Sequence, residues 1–213
     1  MEEKLRKIET GTTNVGIVCK DGIIIAADRR ITSGNLIAGS LEKVALISED
    51  LAIAYAGGVS DVQLLKKIAQ AQLKLEEYRL GKKASVKKFA NLAATLIYQN
   101  IRRFGPFLGI AHFILGGKDN TGFYLYELGV TGEVIEFKDF TAAGSGSVTA
   151  YGVLEALYKK DISVKEGITL AKQSINAAIQ RDNYSGQGID IVTITKDGAK
   201  KIYTEEIEAK IRV

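Results

Sequence analysis

The chain has one histidine, one cysteine, one proline, one methionine and no tryptophan in 213 residues. Each scarcity removes a class of chemistry or structure. Cys19 is alone, so no disulfide can form within the chain, which suits a reducing compartment. It sits in one apolar run, and His112 sits far away in another, Gly109 to Leu115. His-based triads, Cys-His dyads and zinc sites built from several Cys or His residues are therefore poorly supported. Any hydrolytic chemistry must use other groups, and neither a metal nor another cofactor is expected. No run approaches the roughly 18 consecutive apolar residues of a membrane span. Residues 1–11 carry three Glu and three Lys or Arg and lack the apolar core of a secretory signal. The expectation is a cytoplasmic protein with no membrane partner.

What is present is ordinary for a soluble globular chain: 46% hydrophobic and 25% charged residues, in a length that can bury one large core. The net charge of +4 comes from scattered pairs such as Lys66-Lys67, Lys82-Lys83, Lys87-Lys88, Arg102-Arg103 and Lys159-Lys160 set among acids. Such pairs are solvated faces rather than a nucleic-acid footprint.

The periodicity changes four times. Thr13 to Lys20 and Ile23 to Asp28 are β-branched runs joined by an Asp-Gly hairpin signal, and shorter strands are expected at Lys43 to Ile47 and Leu51 to Ala56. Apolar residues then recur at helical spacing from Val62 to Leu73. They do so again from Val86 to Ile101 behind Ser85 as N-cap, with Gly81 between the helices and Pro106 closing the unit. Strands return at Ile110 to Leu115, Gly122 to Leu128 and Glu133 to Phe137, separated by turns at Gly116 to Asn120 and Gly129 to Gly132. A small-residue turn, Thr141 to Ser147, leads into a helix over 148–158. Ser163-Val164-Lys165-Glu166 is a capping box that opens another helix. Ile189 to Ile194 and one further strand finish the chain before a short charged tail. No linker marks a domain boundary and no solenoid repeat is visible. Each helix has one apolar stripe to bury, so two sheets face to face with helices outside satisfy the pattern.

The stretch Gly11-Thr12-Thr13-Asn14-Val15-Gly16-Ile17-Val18 places a hydroxyl residue behind a glycine and ahead of a strand. By itself it allows two readings: a frayed arm running into the first strand, or a leader cut off so that Thr12 becomes a new N-terminus. Taken with Lys20-Asp21-Gly22, Ala27-Asp28-Arg29-Arg30, Tyr55-Ala56-Gly57-Gly58, Gly144-Ser145-Gly146-Ser147, Ala150 to Glu155 and Arg181 to Asp190, it resembles the β-type subunits of the proteasome core particle, the archaeal type most of all. The likeness runs from Gly11 to about Glu205.

The resemblance implies an α+β fold, a four-layer αββα sandwich of two antiparallel sheets with helices on both outer sides. It implies a leader over 1–11, cleaved between Gly11 and Thr12, and a single N-terminal-nucleophile hydrolase domain over 12–213. Thr12 would be the nucleophile of a threonine-type endopeptidase and, once freed, would supply the α-amine. Lys43 would be the catalytic lysine and Asp28 its paired carboxylate. Gly57 and Thr12 would offer backbone N–H groups as an oxyanion hole. Ser145, Asp182 and Ser185 would order the threonine amine. Ile31, Tyr55 and Val59 would line an apolar pocket before the scissile bond, with bulky Tyr55 narrowing it. The partners implied are α-type and β-type subunits in four stacked seven-membered rings, an ATPase acting through the α ring, and unfolded polypeptide substrates. Three rivals stand beside this reading: a structural β-type subunit that keeps its leader, a basic binding module, and the simpler bacterial two-ring relative. Asn14 stands where the family usually has threonine, a change expected to matter little in a strand.

Overall fold

The computed structural model describes residues 11–104 and 108–207. The expectations for residues 1–10, for Pro106 and for the charged tail fall outside this range. Two five-stranded sheets lie face to face, and every strand pairing is antiparallel. The first sheet has the order β10 (Phe140–Ala143), β1 (Asn14–Cys19), β2 (Gly22–Asp28), β11 (Gly188–Thr195), β12 (Gly198–Glu206). The second runs β5 (Val44–Leu46), β6 (Leu51–Gly57), β7 (Ala111–Asp119), β8 (Gly122–Leu128), β9 (Val134–Phe137). Helices α1 (Val59–Leu80) and α2 (Val86–Ile101) cover the second sheet, while α3 (Ser147–Leu157) and α4 (Val164–Arg181) cover the first. The expected α+β sandwich is the fold.

Strand alternation builds three apolar layers from this order. Along β2, Ile24 and Ala26 point to the α3–α4 layer, whereas Ile23, Ile25 and Ala27 point between the sheets, against Ala52, Ala54, Ile114 and Leu125. The helices meet their sheets through single stripes, such as Phe89, Ala93 and Ile97 on α2. Full burial of a side chain like Phe89 is worth about 1.5–3 kcal/mol. Both anticipated caps are in place: Ser85 accepts from Lys88 N, and Ser163 and Glu166 form the reciprocal box. Gly81 closes α1 at φ 63°, in the left-handed region that favours glycine.

Three strands were not anticipated: β3 (Arg30–Ser33), β4 (Leu36–Ser40) and β10. β3 and β4 form a separate hairpin outside both sheets, largely exposed, and so carry no alternating core pattern. β10 lies in the segment expected to be a small-residue turn. Gly116 and Gly117 are not a turn; β7 continues through them to Asp119. A Cβ on Gly116 would come within 2.8 Å of Ile194 Cδ1, and one on Gly117 within 2.4 Å of Leu51 Cδ2. These glycines let neighbouring layers approach. Among the described residues no helix is long and apolar enough to cross a membrane.

Candidate active site

β1 begins and β2 ends at the same end of the first sheet, so Thr12 and Thr13 stand beside Asp28. β6 ends and α1 begins at that end of the second sheet, which brings up Gly57, Gly58 and Val59. Between them opens a cleft of about 700 Å³, lined by Gly11, Thr12, Lys43, Gly57 and the β3–β4 hairpin among others.

Asp28 is the centre of this end. Its carboxylate is wholly buried, yet fully engaged. Oδ1 accepts from Thr13 N at 2.9 Å and from Lys43 Nζ at 2.8 Å; Oδ2 accepts from Arg30 N at 3.0 Å and Gly186 N at 2.9 Å. A buried carboxylate is tolerable only when satisfied in this way. Lys43 Nζ reaches past it to donate to the Gly11 carbonyl at 3.2 Å. Burial lowers the Lys43 pKa and outweighs the attraction of Asp28, so its ammonium gives up a proton more readily than an ordinary lysine's.

Thr12 is buried and uses both of its polar ends. Its hydroxyl donates to the Gly11 carbonyl at 2.5 Å, the oxygen that also receives Lys43. Its N–H donates to Ser145 Oγ at 3.2 Å, and Ser145 in turn donates to Asp182 Oδ2 at 2.6 Å. Ser185 also donates to Asp182 Oδ2, at 2.6 Å, and lies 2.7 Å from the Thr13 hydroxyl. Thus Ser145, Asp182 and Ser185 form one polar chain running from the Thr12 nitrogen. Local geometry explains the glycines around it. Gly144 holds φ 95°, and a Cβ there would come within 2.0 Å of the Thr12 carbonyl oxygen. A Cβ on Gly146 would come within 2.0 Å of Thr13 Oγ1.

Gly57 lies across the cleft at φ 129°, with the Ile110 carbonyl 2.2 Å from where a Cβ would stand. α1 starts two residues later, so its positive end faces the cleft and favours negative charge there. Ile31 and Val59 line the cleft, as does Tyr55. Tyr55 is buried, and its hydroxyl donates to the Glu42 carbonyl, which fixes the ring against the cleft wall.

Sequence reasoning passed over several members of this site. Arg30, Tyr184 and Gly186 touch it through backbone or steric contacts, of which residue type gives no signal, and Thr13 adds a hydroxyl contact to Ser185. Asn14 is fully buried, and neither atom of its amide has a hydrogen-bond partner among the described residues. Unmet polar atoms of this kind cost about 1–3 kcal/mol.

The match to known proteins agrees with the geometry. The family model described as "Proteasome subunit" covers residues 8–194. The chain is 43% identical to "Proteasome subunit beta 1" of Thermococcus onnurineus over 213 residues, the full length of both. It is 43% identical to "Proteasome subunit beta 2" of Pyrococcus abyssi over 95% of each chain. With "Proteasome subunit beta" of Archaeoglobus profundus it shares 41% identity over 95% of this chain and 93% of that one. The chain belongs to the proteasome subunit family, among its β subunits.

Proposed function

We propose that this β subunit is a threonine-type endopeptidase that removes its own leader, residues 1–11, and then works from Thr12 as a single hydrolase domain over 12–213. One observation carries the reading: the Thr12 hydroxyl and Lys43 Nζ converge on the Gly11 carbonyl, at 2.5 and 3.2 Å. This convergence supports the reading of Thr12 as nucleophile, Lys43 as the assisting cation and the Gly11–Thr12 bond as the target.

In the first step Thr12 Oγ attacks the Gly11 carbonyl carbon, and Lys43 stabilises the oxyanion that forms. The carbon–nitrogen bond breaks, the nitrogen takes the hydroxyl proton, and an ester joins Gly11 to Thr12 Oγ. Water hydrolyses that ester, giving a Gly11 carboxylate and a free Thr12 α-amine. An α-amine has a reference pKa near 7.7–8.0, against about 10.4 for lysine, so it serves as a base near neutral pH. It is created beside Ser145, which links it to Asp182. In peptide cleavage the amine takes the Thr12 hydroxyl proton, directly or through water. The backbone N–H of Gly57 receives the new oxyanion, and water again resolves the acyl ester. Ile31, Tyr55 and Val59 form the pocket for the residue before the cut, which favours apolar side chains. The subunit works in heptameric β rings between α rings, on unfolded polypeptides delivered through the α ring by an ATPase, in the cytoplasm.

The test is intact mass and peptidase activity of the particle assembled with its α-type partner. Wild-type chain should lose residues 1–11 and cleave peptides; Thr12→Ala should keep the leader and be inactive. Normal turnover by Thr12→Ala overturns the mechanism. A wild-type particle that retains the leader and is inactive makes the chain a structural ring member.

A further inference from the structure

Lys43 carries its ammonium on the longest flexible stem available, and its backbone belongs to no regular element: residues 41–43 lie between β4 and β5. Something must fix that segment before the ammonium can hold a position to within a fraction of an ångström. The contacts behind it form a closed ring. Leu41 N donates to the Arg29 carbonyl at 2.8 Å, and Tyr55 N to the Lys43 carbonyl at 3.0 Å. The Tyr55 hydroxyl donates to the Glu42 carbonyl. Burial, with the charges of Glu42 and Asp190, pushes that hydroxyl up to about 12, so it remains a donor at any working pH.

The Glu42 carboxylate pairs with Lys201 Nζ at 3.1 Å, and Lys201 Nζ pairs with Asp190 Oδ1 at 3.1 Å. Asp190 Oδ2 pairs with Arg29 Nη1 at 2.6 Å, while Thr204 Oγ1 donates to Oδ1 at 2.9 Å. Arg29 also holds Ser40 Oγ at 3.1 Å and Glu206 Oε1 at 2.6 Å. Arg29 follows Asp28 and Glu42 precedes Lys43. The Asp28–Lys43 pair is therefore closed from behind through Arg29, Asp190, Lys201 and Glu42. Asp190 itself is wholly buried. The Arg29–Asp190 pair is buried, whereas the Lys201 and Glu42 side chains are 29% and 49% exposed; a buried pair is a poor source of net stability compared with apolar packing, and its use here is to fix distances and directions.

We propose that Asp190, acting through Lys201 and Arg29, is the positioning residue that sets Lys43 against Asp28 and the reacting carbonyl. The proposal rests on the reading of Lys43 as catalytic. Loosening the ring leaves the cleft walls in place but lets the ammonium drift. Misplacement of a catalytic group by about 1 Å costs on the order of 100-fold in rate, so the loss should fall on kcat and spare KM.

The experiment compares Asp190→Asn, Lys201→Met, Lys201→Arg and Lys43→Ala in the assembled particle. Reactive threonines are counted with a covalent hydroxyl-directed probe, so that rates are per competent site. Asp190→Asn and Lys201→Met should lose about 10- to 100-fold in kcat with KM changed less than about twofold and the acid limb of the kcat profile displaced. Lys201→Arg, which keeps both ion pairs, should retain wild-type kcat. Lys201→Met leaves the Arg29–Asp190 pair intact, so the test survives if Asp190→Asn fails to fold. Full kcat per site in Lys201→Met, with Lys43→Ala inactive, overturns the proposal. Full activity in Lys43→Ala overturns instead the catalytic reading of Lys43 beneath it.

Discussion

Gly11 is packed so tightly against Tyr184 that a Cβ on it would sit 1.8 Å from the tyrosine Cβ. No side chain fits there unless the loop after α4 moves, and that loop carries Asp182 and Ser185. Gly11→Ala should therefore stall leader removal, read as retained mass after assembly. A chain synthesised to begin at Thr12 lacks the offending residue in any case and should have wild-type activity. Prompt processing of Gly11→Ala would show that the loop yields freely.

Asp28→Asn should be inactive and less stable. The amide would turn an N–H toward donors that now share the carboxylate, and would strand the buried Lys43 ammonium. Breaking a buried pair in this way costs about 3–5 kcal/mol, measurable by denaturant unfolding of the chain before assembly. Activity loss without a stability loss would show that Lys43 finds another partner.

Gly144→Ala combines a positive φ with an encounter with the Thr12 carbonyl. The expected cost is about 1–3 kcal/mol. Ser145 should be displaced from the threonine nitrogen as well, lowering kcat. Unchanged kcat would mean that the Ser145–Asp182 chain is not needed for proton transfer.

Asn14→Val should stabilise the chain by about 1 kcal/mol, because it removes two buried amide atoms that lack partners among the described residues and favours the strand. The midpoint of denaturant unfolding reads this directly. A decrease in stability would show that the amide has a role in the folded chain.

Glu127 gives a pH dependence. Burial raises its pKa, but hydrogen bonds from His112 and Thr141 outweigh this and hold it below the ordinary carboxylate value near 4.5. A depressed carboxylate contributes stability that is fully present above its unfolded value and lost as pH falls through the folded one. Unfolding followed from pH 6 downward should show this loss below about pH 4.5, and Glu127→Gln should flatten it. An identical slope in the variant would assign the acid sensitivity to other groups.

The fold was legible wherever one face of an element is buried. Ser163 and Glu166 announced a helix that begins where they stand, and β2 could be read from its β-branched run. The β3–β4 hairpin was not, because a mostly exposed ribbon has no period to detect. Gly116 and Gly117 misled because a glycine that admits a neighbour and a glycine that turns the chain look alike in sequence. In the site, Thr12 and Asp28 could be named only through the family resemblance of the motifs that hold them, since alone they read as an arm residue and a strand-end acid. The ring through Arg29, Asp190, Lys201 and Glu42 could not, since its members are ordinary charged residues until folding brings them together.

Of the four groups that meet at the Asp28 carboxylate, Thr13, Arg30 and Lys43 lie within 15 positions of it, whereas Gly186 is 158 positions away. Thr13 and Ser185, whose hydroxyls touch beside it, are 172 positions apart. On the proposed mechanism, self-cleavage at Thr12 would act as a proofreading step on folding. A chain that has not closed its last strands against its first lacks the geometry to cut itself. The proposed peptidase activity would thus be withheld from every subunit that has not already passed that inspection.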